Sequence, residues 1–340
     1  MIQMLKQFRW GSAQAGVSLS LASSAWLLSG LTDSPLLNSL LPALTTLPAL
    51  LYLQRRAVGF VLELSSIVLL AILCSPFANN LPPSLTIVSV LIAGLVIALG
   101  QDLSQLPIQR ELLSNAGVSF KQLRQGTELG ALAGFAFTGL IKPGWYQFIP
   151  AALFLLPLLP TVIVAGATTL SKIPVPRFNA RASLQGLIFG GFFALLPLWV
   201  RSISTGNCFN FGVVLVAYGI GRSLINTTPN QSSWRLYSLI AVLLLAGSWL
   251  PGWVTTAFFL PIGILAAGTD RMIVDQISPN DPAIGWQILQ RSGAIGGLFG
   301  VLIMGIVAQL IGLPSTLLIQ LVLFLAAPLL LKSASWVTAL

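Results

Sequence analysis

The chain has 340 residues, of which 56% are hydrophobic and 7% charged, with no histidine and two cysteines. A soluble domain carries about a quarter charged residues, so this composition excludes an ordinary soluble protein and describes an integral membrane one. The net charge of +9 is spread singly along the chain rather than gathered in a patch, which argues against a nucleic-acid partner and makes the basic residues a topology signal.

A helix needs about 20 apolar residues to cross the hydrocarbon core. In chain order the apolar runs predict twelve spans, at 11–32, 35–53, 57–75, 83–101, 124–141, 146–166, 183–201, 208–226, 233–250, 252–269, 288–311 and 314–331. Lys6 and Arg9 before the first run resemble the start of a signal peptide. The run continues to Leu31, however, and the repeat described below needs it, so it is read as a span.

With these limits, one set of alternate connections plus both termini holds 15 of the 17 basic residues: Lys6, Arg9, Arg55, Arg56, Arg110, Lys121, Arg124, Lys172, Arg177, Arg181, Arg222, Arg235, Arg271, Arg291 and Lys332. The other side holds Lys142 and Arg201. Cytoplasmic loops carry the Lys/Arg excess, so both termini are expected in the cytoplasm, the membrane being a bacterial plasma membrane or an internal one. Trp26, Trp145, Trp199, Trp249 and Trp253 then fall at the outer span ends and Trp10, Trp234, Trp286 and Trp336 at the inner ones, as interfacial belts require.

The segment from Leu123 to Ile141 returns from Leu289 to Val307 at an offset of 166 residues, which places Gly130, Gly134 and Gly139 on Gly296, Gly300 and Gly305. Asp102, after Gly100, is echoed by Asp270, after Gly268. Small residues three to five apart make a flat stripe along which two membrane helices approach closely, since lipid supplies no hydrophobic drive between them. These six glycines are therefore read as helix-packing positions. Residues 1–167 form a six-helix half, 168–182 a cytoplasmic linker with Pro174 and Pro176, and 183–340 a second half in the same orientation.

The chemistry is sparse. Without histidine the chain lacks the usual general base and the commonest metal ligand, and Cys74 and Cys208 stand too far apart for a cluster. The chain carries no nucleophile elbow, phosphate loop or paired catalytic carboxylates, so no enzyme, cofactor or metal is expected. Acidic residues inside spans are costly and point to function. Glu63 and Glu128 are such cases, with local pairing of Glu63 to Arg56, and of Glu128 to Arg124 or Lys121, as the plainer alternatives. Asp102 and Asp270 are read as ending the fourth and tenth spans, where they oppose the helix dipole and either stand solvated at the helix end or take a basic partner: Arg55 or Arg56 for the first, Arg222 or Arg235 for the second. Glu128 and Arg222 also suggest a latch, each charge suiting its own helix end. Arg291 completes the gating and coupling candidates.

Twelve spans in two parallel halves, the basic central linker, Arg55-Arg56-Ala-Val-Gly59 after the second span, Gly219-Ile-Gly-Arg222 at the end of the eighth and the glycine-rich fifth and eleventh resemble the major facilitator superfamily of secondary transporters over the whole chain. The family's loop motif lacks its first glycine and its aspartate here, the basic residue inside the fourth helix is missing, and the fifth helix has no proline. The resemblance implies that helices one, four, seven and ten line a central cavity, to which this chain offers Gln14, Ser18, Ser24, Gln185, Thr255 and Thr256. An uncharged lining suits a neutral or amphipathic solute, because a buried anion needs basic partners. The expectation is an all-α, multi-pass transporter, monomeric in the bilayer, that moves a small molecule by alternating access. The alternative is a non-transporting assembly, scaffold or pigment-handling subunit of the same fold.

Overall fold

A computed structural model describes residues 2–50, 56–76, 80–114, 119–164, 177–203, 206–224, 232–249 and 253–337. Arg55, Lys172 and the linker stretch 168–176 lie outside the described residues, as do the side chains of Arg56, Arg110, Trp253 and Trp336. Helix dominates. In chain order the helices are α1 Ile2–Leu31, α2 Pro35–Thr46, α3 Arg56–Leu73, α4 Pro83–Ser114, α5 Phe120–Leu140, α6 Trp145–Leu155 and α7 Leu159–Val164. They continue as α8 Ala180–Ala194, α9 Leu196–Leu198, α10 Cys208–Ser223, α11 Ser233–Trp249, α12 Trp253–Ile277, α13 Pro282–Ile311 and α14 Leu313–Val337.

Polar residues at the ends of the apolar runs set where several helices begin. Ser34 caps α2 ahead of Pro35, Asn179 caps α8, Asn207 caps α10, and Asp281 caps α13 ahead of Pro282; each side-chain oxygen accepts an N–H that the first turn leaves unpaired. Ser119 and Gln122 form a full capping box at α5. Gly312, at φ +89, turns α13 into α14, and Gly144, at φ +122, precedes α6; both need the backbone freedom of glycine. Prolines break two of the expected spans. A 3-10 turn over Leu156–Leu158 separates α6 from α7 at Pro157, and Pro197 splits the seventh span into α8, α9 and a π turn over Trp199–Ile203. A proline interior to a helix removes one N–H and crowds the preceding carbonyl.

Among the described residues six helical stretches are long and apolar enough to cross a membrane: Pro83–Gln109, Trp145–Val162, Ala180–Ser202, Thr255–Ile277, Pro282–Ile311 and Leu313–Ser333. Shorter apolar helices cover Pro35–Leu50, Ala57–Leu73, Cys208–Ser223 and Ser233–Trp249. Large apolar side chains stand on the surface, Leu310 at 78% exposure, Leu329 at 64% and Leu318 at 63%, which suits lipid as the surrounding medium and not water. The protein is an integral, multi-pass membrane protein.

The chain groups into two compact units, Met1–Thr32 with Leu51–Pro174, and Asp33–Leu50 with Val175–Leu340. In the first, α1 packs on α5 and α6, and α3 on α4 and α6, around Leu19, Ile67, Ile97, Phe148 and Leu155. In the second, α13 packs on α8 and α2, α12 on α10 and α11, and α14 on α8 and α11, around Ile188, Phe192, Tyr237, Ile262 and Phe324. The sequence reading counts 33–50 with the first half; by packing, α2 belongs to the second unit. There Gly305 faces Ser39, whose side chain occupies the space a Cβ would need.

Candidate functional site

The expected glycine stripes lie at the tightest helix pairs. In the first unit a methyl at Gly130 would run into the Gly11 carbonyl of α1, and one at Gly134 would lie 2.5 Å from the Ala15 carbonyl oxygen. In the second, Gly296 and Gly300 stand in the same way against the Ser183 and Leu187 carbonyls of α8. Gly139 is half-buried on α5. The sequence reading did not identify a second set of close approaches, Gly59 with Gly100 between α3 and α4, and Gly221 and Gly263 between α10 and α12. Gly59 and Gly221 attract notice in the sequence only as remnants of loop motifs, because a single glycine carries no stripe.

Among the described residues each unit holds a polar network that ties three of its helices together. In the first, the amide Nε2 of Gln14 on α1 donates to Gln105 Oε1 on α4 at 2.6 Å, and Gln105 Nε2 donates to Glu63 Oε1 on α3 at 2.7 Å. Ser104 Oγ lies 3.3 Å from Glu63 Oε2, as donor. Glu63 is wholly buried. Gln105 accepts at its amide oxygen and donates from its amide nitrogen, so the N–H groups run in one direction, from Gln14 through Gln105 to Glu63.

In the second unit Gln185 Nε2 on α8 donates to Asp270 Oδ1 at 2.6 Å and to Thr269 Oγ1 at 3.0 Å, both on α12. Arg222 at the end of α10 reaches Asp270 Oδ2 at 2.9 Å and lies over the Tyr218 ring, its carbon 5.8 Å from the centroid. Of the two partners expected for Asp270, Arg222 is the one that pairs. Tyr237 lies fully buried in this unit, against Phe189 and Phe324.

Asp102 and Asp270 do not end their helices. α4 runs on to Ser114 and α12 to Ile277, because a charged residue ends an apolar run without ending the backbone hydrogen-bond ladder. The dipole argument for these two residues therefore falls, and Asp270 is satisfied by Arg222 and Gln185 instead. Asp102 Oδ2 has no hydrogen-bond partner among the described residues; Arg55 and the Arg56 side chain, its expected partners, lie outside them. The same early ending of the fourth span hid Gln105, which the sequence reading places in a connection.

The remaining cavity candidates divide. Ser24 returns its hydroxyl to the Ser20 carbonyl of its own helix, Ser18 packs against the place a Gly134 side chain would take, and Thr255 donates to Gly247 O on α11. Thr256 is half-buried on α12, Glu128 half-buried on α5 and Arg291 half-buried on α13. Of the six cavity candidates, Gln14 and Gln185 are the ones that enter these networks, as donors to protein acceptors. Both cysteines are free.

No protein-family model and no curated protein sequence matches the chain. Solved structures do. A point mutant of the nucleoside transporter NupG superposes with a TM-score of 0.61 at 13% identity, over 98% of this chain and 99% of that one. NupG itself gives 0.55 at 13%, over 98% and 97%. The human organic anion transporter MFSD10 gives 0.56 at 15%, over 96% and 99%. Over nearly its whole length the chain has the fold of these transporters.

Proposed function

We propose that this protein is a secondary transporter of the major facilitator superfamily, built of twelve membrane helices in two parallel six-helix repeats with both termini in the cytoplasm, that moves a small neutral or amphipathic solute by alternating access. The observation that carries the reading is the end-to-end likeness to three transporter structures with almost nothing left over in either chain. The paired glycines support the repeat: Gly130 and Gly134 meet α1 as Gly296 and Gly300 meet α8, at the offset of 166 residues read from the sequence. An enzyme is not proposed.

The neighbours do not choose a substrate, since a nucleoside and an organic anion differ in charge. The uncharged amides and hydroxyls offered by α1, α8 and α12 favour a solute without net charge. Uptake into proteoliposomes of nucleosides, sugars, amino acids and amphipathic drugs, with a thermal-shift screen of the purified chain against the same compounds, tests the reading. A saturable solute with a matching shift supports it. Failure of every class in both assays would count for the second reading, a non-transporting assembly or scaffold subunit.

That second reading has an observation of its own. The interior of the second unit is filled by rings, with Phe192 stacked on Phe259 at 6.0 Å, Phe189 edge-on to Phe324 at 5.3 Å and Tyr237 beside both Phe189 and Phe324. The amides of Gln14 and Gln185 donate to protein acceptors. A subunit that only packs has no need of free polar groups.

A further inference from the structure

The second unit has a groove of about 590 Å³ between α8, α13 and α14, within the ~300–1,000 Å³ range of ligand sites. Leu184 and Leu187 of α8, Phe299 and Ile303 of α13 and Leu330 of α14 form its walls, with Gly296 beneath. None of the cavity candidates lines it. It exists because Gly296 carries no side chain and lets α13 lie against the Ser183 carbonyl, so the two helices nearly touch and the bulky residues on either side stand up as rims.

Its position along the helices is graded. Phe178, Ala180 and Ser333 form one end, at the limits of the apolar stretches Ala180–Ser202 and Leu313–Ser333. Leu187 and Ile303 form the other, each seven residues further along its helix from Ala180 and Gly296, roughly 10 Å at 1.5 Å per residue. One end thus opens at the membrane surface and the other points toward the midplane. The charge is graded too. Arg177, Arg181 and Lys332 are the charged residues within four positions of any lining residue, and no acidic residue is among them. Arg181 donates to Gln276; Arg177 and Lys332 are exposed.

We infer that this groove is a binding site for one anionic phospholipid of the surrounding bilayer, an acyl chain lying along Leu184, Leu187, Phe299 and Ile303 and the phosphate group at the Arg177 and Lys332 end. An acyl chain matches apolar walls that already face lipid, and a phosphate matches the end where Arg177 and Lys332 adjoin the lining residues Phe178 and Ser333, since basic residues near the surface attract an anionic headgroup. A second copy of the chain would bring the same cations to the same end and repel. Three helices from separate stretches of the second half supply the walls, so the site also bridges α8 to α14 when filled.

The test uses the full chain, delipidated in neutral detergent, with native mass spectrometry counting adducts of phosphatidylglycerol or phosphatidylcholine. One phosphatidylglycerol retained in preference to phosphatidylcholine is expected, and Arg177→Gln with Lys332→Gln together should weaken the phosphatidylglycerol adduct on the order of tenfold while leaving phosphatidylcholine unchanged. Ser333→Trp, at an exposed position on the lining of the groove, should fill the mouth and abolish the adduct for both lipids. Thermal unfolding without lipid confirms that the variants fold. Equal retention of the two lipids, retention unaffected by Ser333→Trp, or a dimer that Ser333→Trp dissociates would each overturn the assignment, the last by giving the groove to a second copy.

Discussion

Gln14 and Gln185 do the same thing in their two units. Each sits on the helix against which the glycine stripe packs, and each hands an amide N–H to α4 or α12. The carboxylates behind them differ. Asp270 has a cation at 2.9 Å and remains 15% exposed, whereas Glu63 is wholly buried and held by an amide and a hydroxyl, all neutral. The two units therefore share close glycine packing and differ in the charge that their polar networks hold. Packing by backbone contact tolerates no drift, because the partner is a carbonyl that cannot change identity; a buried polar network tolerates much, provided each new member finds a partner.

The largest effects should come from the shared part. Gly130→Ala and Gly296→Ala each drive a methyl into a backbone carbonyl, of Gly11 and Ser183 respectively, and each is expected to lower stability by about 3 kcal/mol. Gly126→Ala and Gly293→Ala are the controls, one per unit: the nearest atoms would lie at 3.4 Å and 3.7 Å, so the better helix propensity of alanine should leave them neutral or stabilised by up to ~1 kcal/mol. Denaturation in detergent measures all four. If the two control variants lost as much as the tight ones, the closeness of these helices would not be what the glycines provide.

The carboxylates come next, and they separate the units. Asp270→Asn leaves Arg222 without its counter-charge in a site 20% exposed on the arginine side; breaking such a pair costs ~3–5 kcal/mol when fully buried, and solvent access reduces that to about 2 kcal/mol here. Glu63→Gln keeps shape and keeps an acceptor for one of its two donors, so a loss near 1 kcal/mol is expected. A cost for Glu63→Gln equal to that of Asp270→Asn would place a cation on Glu63. Arg56, seven residues earlier on α3, is the candidate, and a double-mutant cycle between Glu63→Gln and Arg56→Gln would identify it.

Much of this was readable in the sequence, and the reason is local. Apolar runs and a glycine stripe are written in consecutive residues, whereas for Asp270 the sequence offers Arg222 and Arg235 without choosing between them. What was not legible depends on where a helix continues or what lies opposite it. The hydropathy of α4 falls at Asp102 while its hydrogen-bond ladder runs on to Ser114, which moved Gln105 out of view. Pro197 divides a run whose composition alone reads as one span. That α2 packs on α13 in the second unit is a property of α13 as much as of α2, and no window of either sequence contains it.

The smallest expected difference concerns one polar tie at the start of each close-packed helix pair. Trp10 Nε1 on α1 donates to Thr127 Oγ1 on α5 at 2.8 Å, and the Asn179 backbone N–H at the cap of α8 donates to Ser292 Oγ on α13 at 3.0 Å. The acceptors are 165 residues apart, close to the offset of 166 between the glycine stripes. Their donors differ in exposure: Trp10 is 3% exposed, and Asn179 is half-buried. Thr127→Val preserves the volume and removes the acceptor, leaving a buried indole N–H with nothing to bond, at a cost of about 1–2 kcal/mol. Ser292→Ala removes an acceptor from the N–H of a half-buried residue, and the loss should stay below about 1 kcal/mol. Thermal unfolding of the two variants in one detergent ranks them, with Thr127→Val the less stable. The reverse order would mean that the capped start of α8, rather than the buried indole, is the corner on which its unit depends.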